Sequence, residues 1–192
     1  MLRVFDKDGT LVQTKSGDKF PKLGDQQLIP GVKERIAAYK EAGDIICVAS
    51  NQAGIPTYKS LEDAISEFQE LMQLLPEISV CFFCPNFEGT HCWSVPNPDS
   101  AVYLQDTLTG VVYPAGKSSD YGAAKPLHEG TGLILEYGKL VGSYRKPNDG
   151  MIKAAMIWAR VDTCAYVGDR PEDEGAATNA GVPFQHVNDW LA

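Results

Sequence analysis

Two aspartates, Asp6 and Asp8, stand two residues apart at the end of a short apolar run, Leu2 to Phe5, and Gly9 and Thr10 follow at once. Alternate residues of an extended segment share a face, so both carboxylates can converge on one cation or one reacting group. Carboxylates held that close divide labour: one stays ionised while the other is easier to keep protonated. Further along lie Ser50-Asn51, Arg145-Lys146, and the acids Asp169 and Asp173. Three carboxylates suit a hard cation such as Mg²⁺, which takes oxygen ligands and keeps some of its water. Lys146, the Ser50 hydroxyl and nearby backbone N–H groups suit a phosphoryl group. A metal site beside an anion site is the equipment of phosphoryl transfer, where positioning and charge neutralisation dominate.

For these groups to act together, segments more than a hundred residues apart must meet. The apolar pattern supplies a way. After the Leu2–Phe5 strand, residues 11 to 30 read as a polar loop. A helix opens at Pro30-Gly31, with Val32, Ile36, Tyr39 and Ala42 near one face and Gly43 as its stop. Ile45 to Ala49 has the look of a buried strand. The next helix carries Leu61, Ala64, Ile65, Phe68, Met72 and Leu75 and ends at Pro76; Ser60 and Asp63 have capping-box spacing, or Thr57 begins the helix. Ile78 to Phe83 is a third strand. After Arg145 the alternation resumes with a helix capped by Asn148 or Asp149, a strand Cys164–Val167, a helix from about Pro171 to Ala180, and a last strand Pro183–Val187. Such alternation predicts an α/β fold, a doubly wound parallel sheet with helices on both faces. Its carboxyl edge is where ligands bind in open sheets, and all four polar segments sit at strand ends or helix starts.

Residues 84–144 break this rhythm, being rich in Gly, Pro, Ser and Tyr, with a hairpin pattern from Ala101 to Tyr113. They read as a cap or lid inserted into a catalytic core made of 1–83 and 145–192. The 192 residues carry 17 Lys and Arg against 25 Asp and Glu, a net charge of −8, which argues against a surface that coats nucleic acid. No apolar run is long enough to span a bilayer, and the amino terminus meets charge too early for a signal peptide; a soluble, cytoplasmic protein is expected. Five cysteines without a secretory signal do not suggest a disulfide framework.

Asp6-Lys7-Asp8-Gly9-Thr10-Leu11, Ser50-Asn51-Gln52, Arg145-Lys146-Pro147 and Gly168-Asp169-Arg170-Pro171-Glu172-Asp173 together resemble, in order and spacing, the four motifs of the haloacid dehalogenase superfamily. The resemblance covers nearly the whole chain and implies its Rossmann-like fold. It implies that Asp6 attacks phosphorus to give an aspartyl-phosphate, and that Asp8 protonates the leaving oxygen and then deprotonates water. It gives Mg²⁺ to Asp6, the backbone carbonyl of Asp8 and Asp169, with Asp173 supporting them from behind. Ser50 and Lys146 would hold the phosphoryl oxygens, and Asn51 and Arg145 would face the substrate. An acid at position 8 favours a phosphomonoesterase over phosphonate or halide chemistry.

Substrate class is read from the loop. Thr14-Lys15-Ser16-Gly17-Asp18-Lys19-Phe20-Pro21 is similar to a segment of the polynucleotide 3′-phosphatase branch, and three lysines against two aspartates between 13 and 25 make it locally basic. A polynucleotide 3′ end is therefore the first expectation and partner. The alternative is a small phosphorylated metabolite, of the sugar bisphosphate or histidinol phosphate type. In its favour, residues 84–142 carry three lysines against six acids, a poor surface for a phosphate backbone. A non-catalytic binding protein on the same fold is a third reading, disfavoured because the nucleophile and metal acids are present. A structural zinc on Cys84, His91 and Cys92, with Cys81 nearby, is a lesser reading. Cys81 and Cys84 have opposite strand parity, the Cys-x-Cys of the zinc-binding sugar phosphatases is absent, and buried thiols explain the residues as well.

Overall fold

The structure, a computed structural model, describes residues 1–19, 21–97 and 139–192, together with the backbone of three two-residue strands between them. In chain order the elements are β1 (Leu2–Phe5), β2 (Val12–Thr14), β3 (Gln26–Leu28), α1 (Val32–Glu41), β4 (Ile45–Asn51), α2 (Leu61–Leu74), β5 (Ile78–Cys84) and β6 (Trp93–Pro96). Then come β7 (Leu104–Gln105), β8 (Val112–Tyr113), β9 (Lys125–Pro126), α3 (Gly150–Ala159), β10 (Cys164–Gly168), α4 (Pro171–Ala180), β11 (Phe184–His186) and α5 (Val187–Leu191).

The central sheet has strand order β11-β10-β1-β4-β5-β6-β9. Its first five strands are parallel, and β1 lies between β10 and β4, with Phe5 level with both Val167 and Val48. Period-two alternation sorts the side chains of these strands onto two faces. Leu2, Val4, Cys47, Ala49, Val80 and Phe82 pack against α3 and α4 through Met151, Ile152, Ala155, Ala176 and Ala177. Phe5, Ile46, Val48, Cys81 and Phe83 pack on the other side against α1, α2 and α5 through Val32, Ile36, Phe68, Leu71 and Trp190. Both faces of the sheet are thus covered, as near-continuous apolar strands require.

Local chemistry sets the helix ends. Ser60 caps α2 by accepting from the Asp63 N–H at 3.0 Å. Gly43, at φ 83°, leaves α1 in the left-handed conformation that glycine adopts most readily. At α3 the N-cap is Asp149, but its carboxylate makes no cap bond and pairs with Lys153 instead.

Two expectations change. Residues 11–30 are not all loop: β2 and β3 form an antiparallel ribbon, with Gln13 opposite Gln27. The carboxyl terminus continues past β11 into α5, whose Trp190 is fully buried and bonds the Tyr39 hydroxyl at 3.0 Å. Five residues are too few for a helical period to register in sequence. Beyond β5 the sheet continues with two antiparallel strands, β6 and then β9 at its edge. Most of residues 84–144, expected from sequence to be an inserted cap or lid, lies outside the described residues. Within it, β7 and β8 pair antiparallel, as the hairpin pattern predicts.

Candidate active site

Sheet order brings the polar segments together. Asp6 leaves β1 with its N–H donating to Val167 O at 2.9 Å, so the chain between β1 and the ribbon starts level with the end of β10. The turn is closed by Leu11 and Val12 N–H groups donating to Lys7 O. Gly9 sits in it at φ 90°, and a Cβ there would lie 2.4 Å from Asp169 Oδ2. Only glycine satisfies both the backbone and that approach. Gly168 serves the same end, since a Cβ on it would meet the Asp173 side chain at 2.4 Å.

A cleft of about 550 Å³ opens at this edge, lined by Asp6, Asp8, Ser50, Asn51, Arg145, Lys146 and Asp173 among others. At its floor Lys146 Nζ donates to Asp6 Oδ1 at 2.5 Å, Asp173 Oδ1 at 2.6 Å, Ala49 O at 3.0 Å and the Tyr166 hydroxyl at 3.1 Å. Burial works against the ammonium, but the carboxylates of Asp6 and Asp173 and the Tyr166 hydroxyl outweigh it and push its pKa well above the ordinary value. Lys146 is therefore a fixed positive charge. Burial has the opposite effect on Asp6, whose carboxyl rises from 3.8 to about 7; the Lys146 charge opposes the rise, while Asp173 and Asp8 add to it. Asp169 is also raised, first by burial, against the pull of Arg170.

Ligand oxygens of Asp6, Asp169 and Asp173 lie within 4.8 Å of one another. They are not equivalent. Both oxygens of Asp173 are occupied, one by Lys146 and Tyr166, the other by the N–H groups of Asp169 and Arg170, which makes it the first-turn acid of α4 and the anchor of Lys146 at once. Asp169 Oδ1, by contrast, is buried with no hydrogen-bond partner. A buried carboxylate oxygen left bare beside a second carboxylate fits a hard divalent cation. The residues present thus suit Mg²⁺ at Asp6 and Asp169.

Ser50 is buried, and its oxygen accepts from Gln52 Nε2 at 2.9 Å, which leaves its own O–H able to donate into the cleft. Asn51 clamps the backbone of residue 146 from both sides, donating from Nδ2 to Lys146 O and accepting the Lys146 N–H at Oδ1, each at 3.0 Å. Its amide fixes the Lys146 loop against β4 across 95 positions of sequence. Arg145 stacks its guanidinium on Phe87, 4.6 Å from the ring centroid, and keeps Nη1 buried without a partner. The Asp8 carboxylate accepts from Lys7 Nζ at 2.7 Å and Gln52 Nε2 at 3.0 Å.

Sequence reading passed over Tyr166 and Gln52. Tyr166 had one legible sign: it is the lone hydroxyl-bearing aromatic of an otherwise apolar buried strand, and such a hydroxyl needs a partner. Gln52 stood beside Ser50-Asn51 in the sequence, but what it touches depends on tertiary contacts. The zinc reading is not supported. Cys84 and Cys92 are buried thiols raised by that burial, and Cys81 faces the opposite core. The His91 ring is engaged by Thr90 and Asn86. Among the described residues, the group whose ligand atoms converge is the aspartate one.

Comparison with known proteins agrees with this geometry. A curated relative, the D-glycero-D-manno-heptose-1,7-bisphosphate 7-phosphatase of Thermosynechococcus vestitus, is 28% identical over 184 residues, covering 92% of this chain and 72% of that protein. The D-glycero-beta-D-manno-heptose-1,7-bisphosphate 7-phosphatases of two Neisseria meningitidis strains are 30% identical over 97 residues, 47% of this chain and 51% of theirs. A crystal structure of the D,D-heptose 1,7-bisphosphate phosphatase from B. bronchiseptica, complexed with magnesium and phosphate, shares the fold at a TM-score of 0.59 and 19% identity, covering 95% of this chain and 78% of that one. A HAD-like phosphatase from Mesorhizobium loti does so at 0.56 and 21%, covering 94% and 68%. The family model described as polynucleotide kinase 3 phosphatase matches residues 1–188. With that match running from β1 into α5, the chain belongs to the polynucleotide kinase 3 phosphatase family and is a phosphatase of the haloacid dehalogenase superfamily.

Proposed function

We propose that this phosphatase hydrolyses a phosphomonoester of a small sugar bisphosphate, with Asp6 as nucleophile and Mg²⁺ as cofactor. The observation that carries the reaction is the floor of the cleft, where Asp6 meets the charged Lys146 and a carboxylate oxygen of Asp169 comes within 4.8 Å of one of Asp6. When bound, the cation would supply charge neutralisation for the phosphoryl oxygens and favour the ionised form of Asp6. Lys146 and the Ser50 hydroxyl then hold the transferring group while Asp6 attacks phosphorus and the ester oxygen leaves. Asp8 gives that oxygen a proton and later takes one from the water that opens the aspartyl-phosphate.

For the substrate, the order expected from sequence is reversed. The curated relatives named above act, by their names, on a heptose bisphosphate, and one of them aligns along most of this chain. Arg145 supports the same reading, since it lines the cleft as a cationic residue besides Lys146, a group that suits a second phosphate. A polynucleotide 3′ end is the second reading, favoured by the family model's description and by the basic Thr14–Pro21 segment.

The test is a panel: a heptose 1,7-bisphosphate, its monophosphates, histidinol phosphate and a 3′-phosphorylated oligonucleotide, each with and without Mg²⁺. Highest kcat/KM on a sugar bisphosphate, lost on chelation, is the expected result. Highest kcat/KM on the oligonucleotide, falling steeply with salt, would instead establish the nucleic-acid reading.

A further inference from the structure

Asp8 has two proton transfers to perform on the reading above, and a carboxylate that rotates freely would perform them poorly. Its surroundings contain more machinery than the reaction has used. Lys7 Nζ reaches Asp8 Oδ1 at 2.7 Å, and Gln52 Nε2 reaches Oδ2 at 3.0 Å and Ser50 Oγ at 2.9 Å. Behind Gln52, Lys59 Nζ donates to Gln52 Oε1 at 3.3 Å and to both oxygens of Glu67, at 2.9 and 2.7 Å. Glu67, on the buried side of α2, also lies 3.6 Å from Lys7 Nζ.

Chemistry dictates how this network is oriented. A primary amide has one donating end and one accepting end, whereas an ammonium only donates. With Lys59 against Gln52, the accepting Oε1 must face Lys59. The donating Nε2 must then face Asp8 and Ser50. The reversed amide would set donor against donor at Lys59 and acceptor against carboxylate at Asp8. Lys59 is in turn fixed because Glu67 grips it with both oxygens. The energetics point the same way: the Lys7 and Glu67 side chains are 1% and 3% exposed, and a buried ionic network is rarely more stabilising than well-packed apolar residues of the same volume.

We propose that Gln52, oriented by Lys59 and Glu67 and acting opposite Lys7, is a positioning residue that aims the Asp8 carboxylate at the leaving oxygen of the substrate. The inference rests on the phosphatase reading in which Asp8 is the acid–base group. Asp8 is the catalytic residue; Gln52, Lys59 and Glu67 act through it and touch no reacting atom in this role. Its consequence is specific, because a proton donor matters most when the leaving alkoxide is a poor one and least when it departs unaided.

The experiment compares kcat/KM on β-glycerophosphate, a poor leaving group, with that on 2,4-dinitrophenyl phosphate, a good one, for the full chain with Mg²⁺. Gln52→Leu is expected to lower the alkyl ester rate about 10–100-fold and the aryl ester rate less than about threefold. Gln52→Glu keeps an acceptor for Lys59, protecting the fold, but turns an acceptor toward Asp8; it should show the same selective loss. Glu67→Gln, one layer further out, should show it more weakly. Equal losses on both esters, or no loss on either, would overturn the proposal while leaving the phosphatase reading intact. Wild-type protein that turns over neither ester would overturn both.

Discussion

At the scale of single residues, the site works by setting one fixed cation among groups that burial would otherwise neutralise. Lys146 touches Asp6, Asp173, Tyr166 and the Ala49 carbonyl, so its position is over-determined and its charge permanent. Lys146→Met keeps the length of the side chain but removes the charge and four hydrogen bonds. We expect kcat/KM to fall about 100- to 1000-fold, the loss typical of a missing oxyanion donor, as measured on the best substrate of the panel. A change of less than about threefold would remove Lys146 from the transition state. Asp173 should not substitute for a metal ligand, because its four contacts already use both oxygens.

At the scale of elements, two short features decide whether the residues meet. The turn after β1 depends on Gly9. Gly9→Ala would have to hold φ near 90° and push a methyl group into Asp169. We expect a loss of about 1–3 kcal/mol of stability on denaturant unfolding, with a larger proportional loss of activity as Asp169 is displaced. The second feature is the far end of the same strand pair. Asp44, just before β4, accepts from the Met1 ammonium at 2.7 Å and from Arg3 Nε at 2.5 Å. Burial opposes the charged carboxylate, but these two donors prevail and hold its pKa below the ordinary value. A carboxyl depressed on folding adds stability above its unfolded pKa, and that stability is lost as pH falls through the folded value. Asp44→Asn should thus lower stability by about 1–2 kcal/mol at pH 7, and its unfolding curve should converge with that of wild type in acid.

These elements also show what a reader of the sequence could see. The long apolar strands β4 and β5 and the periodic helix α2 were legible because burial on a sheet or helix face dictates residue type at every second or every third and fourth position. Asp6, Ser50 and Asp169 stood at the ends of β1, β4 and β10, and the order of the motifs told where they would meet. The ribbon β2–β3 was not legible, being three residues a side with polar Gln13, Gln26 and Gln27 in it. Nor were the duties of Gln52, Lys59 and Glu67, since those residue types are ordinary on a solvated helix or loop. Only the packing of α2 against the β1 turn makes them a buried network. Tyr166 lies between these cases, visible as an anomaly but not as a partner of Lys146.

At the scale of the whole molecule, the central position of β1 is what unites the site. With β10 on one side and β4 on the other, Asp6, Asp169 and Ser50 leave the sheet at one edge, while the loop before α3 and the first turn of α4 bring Lys146 and Asp173 to it. The strands β6 and β9 widen the sheet beyond β5. In a molecule of net charge −8, the cleft lining sets Lys59, Arg145, Lys146 and Arg170 against Asp6, Asp8, Glu172 and Asp173, so the cleft is less acidic than the molecule as a whole.

The most direct test is to trap the phosphoryl group on Asp6. Asp8→Asn should still release dinitrophenol from 2,4-dinitrophenyl phosphate, because that leaving group needs no proton, but should fail to activate water afterwards. Acid quench in the first turnover, followed by peptide mass analysis, should therefore find one burst of phenol per protein and one phosphoryl group on Asp6. Sustained turnover at the wild-type rate with an unmodified Asp6, or a phosphoryl group on any other side chain, would contradict nucleophilic attack by this residue.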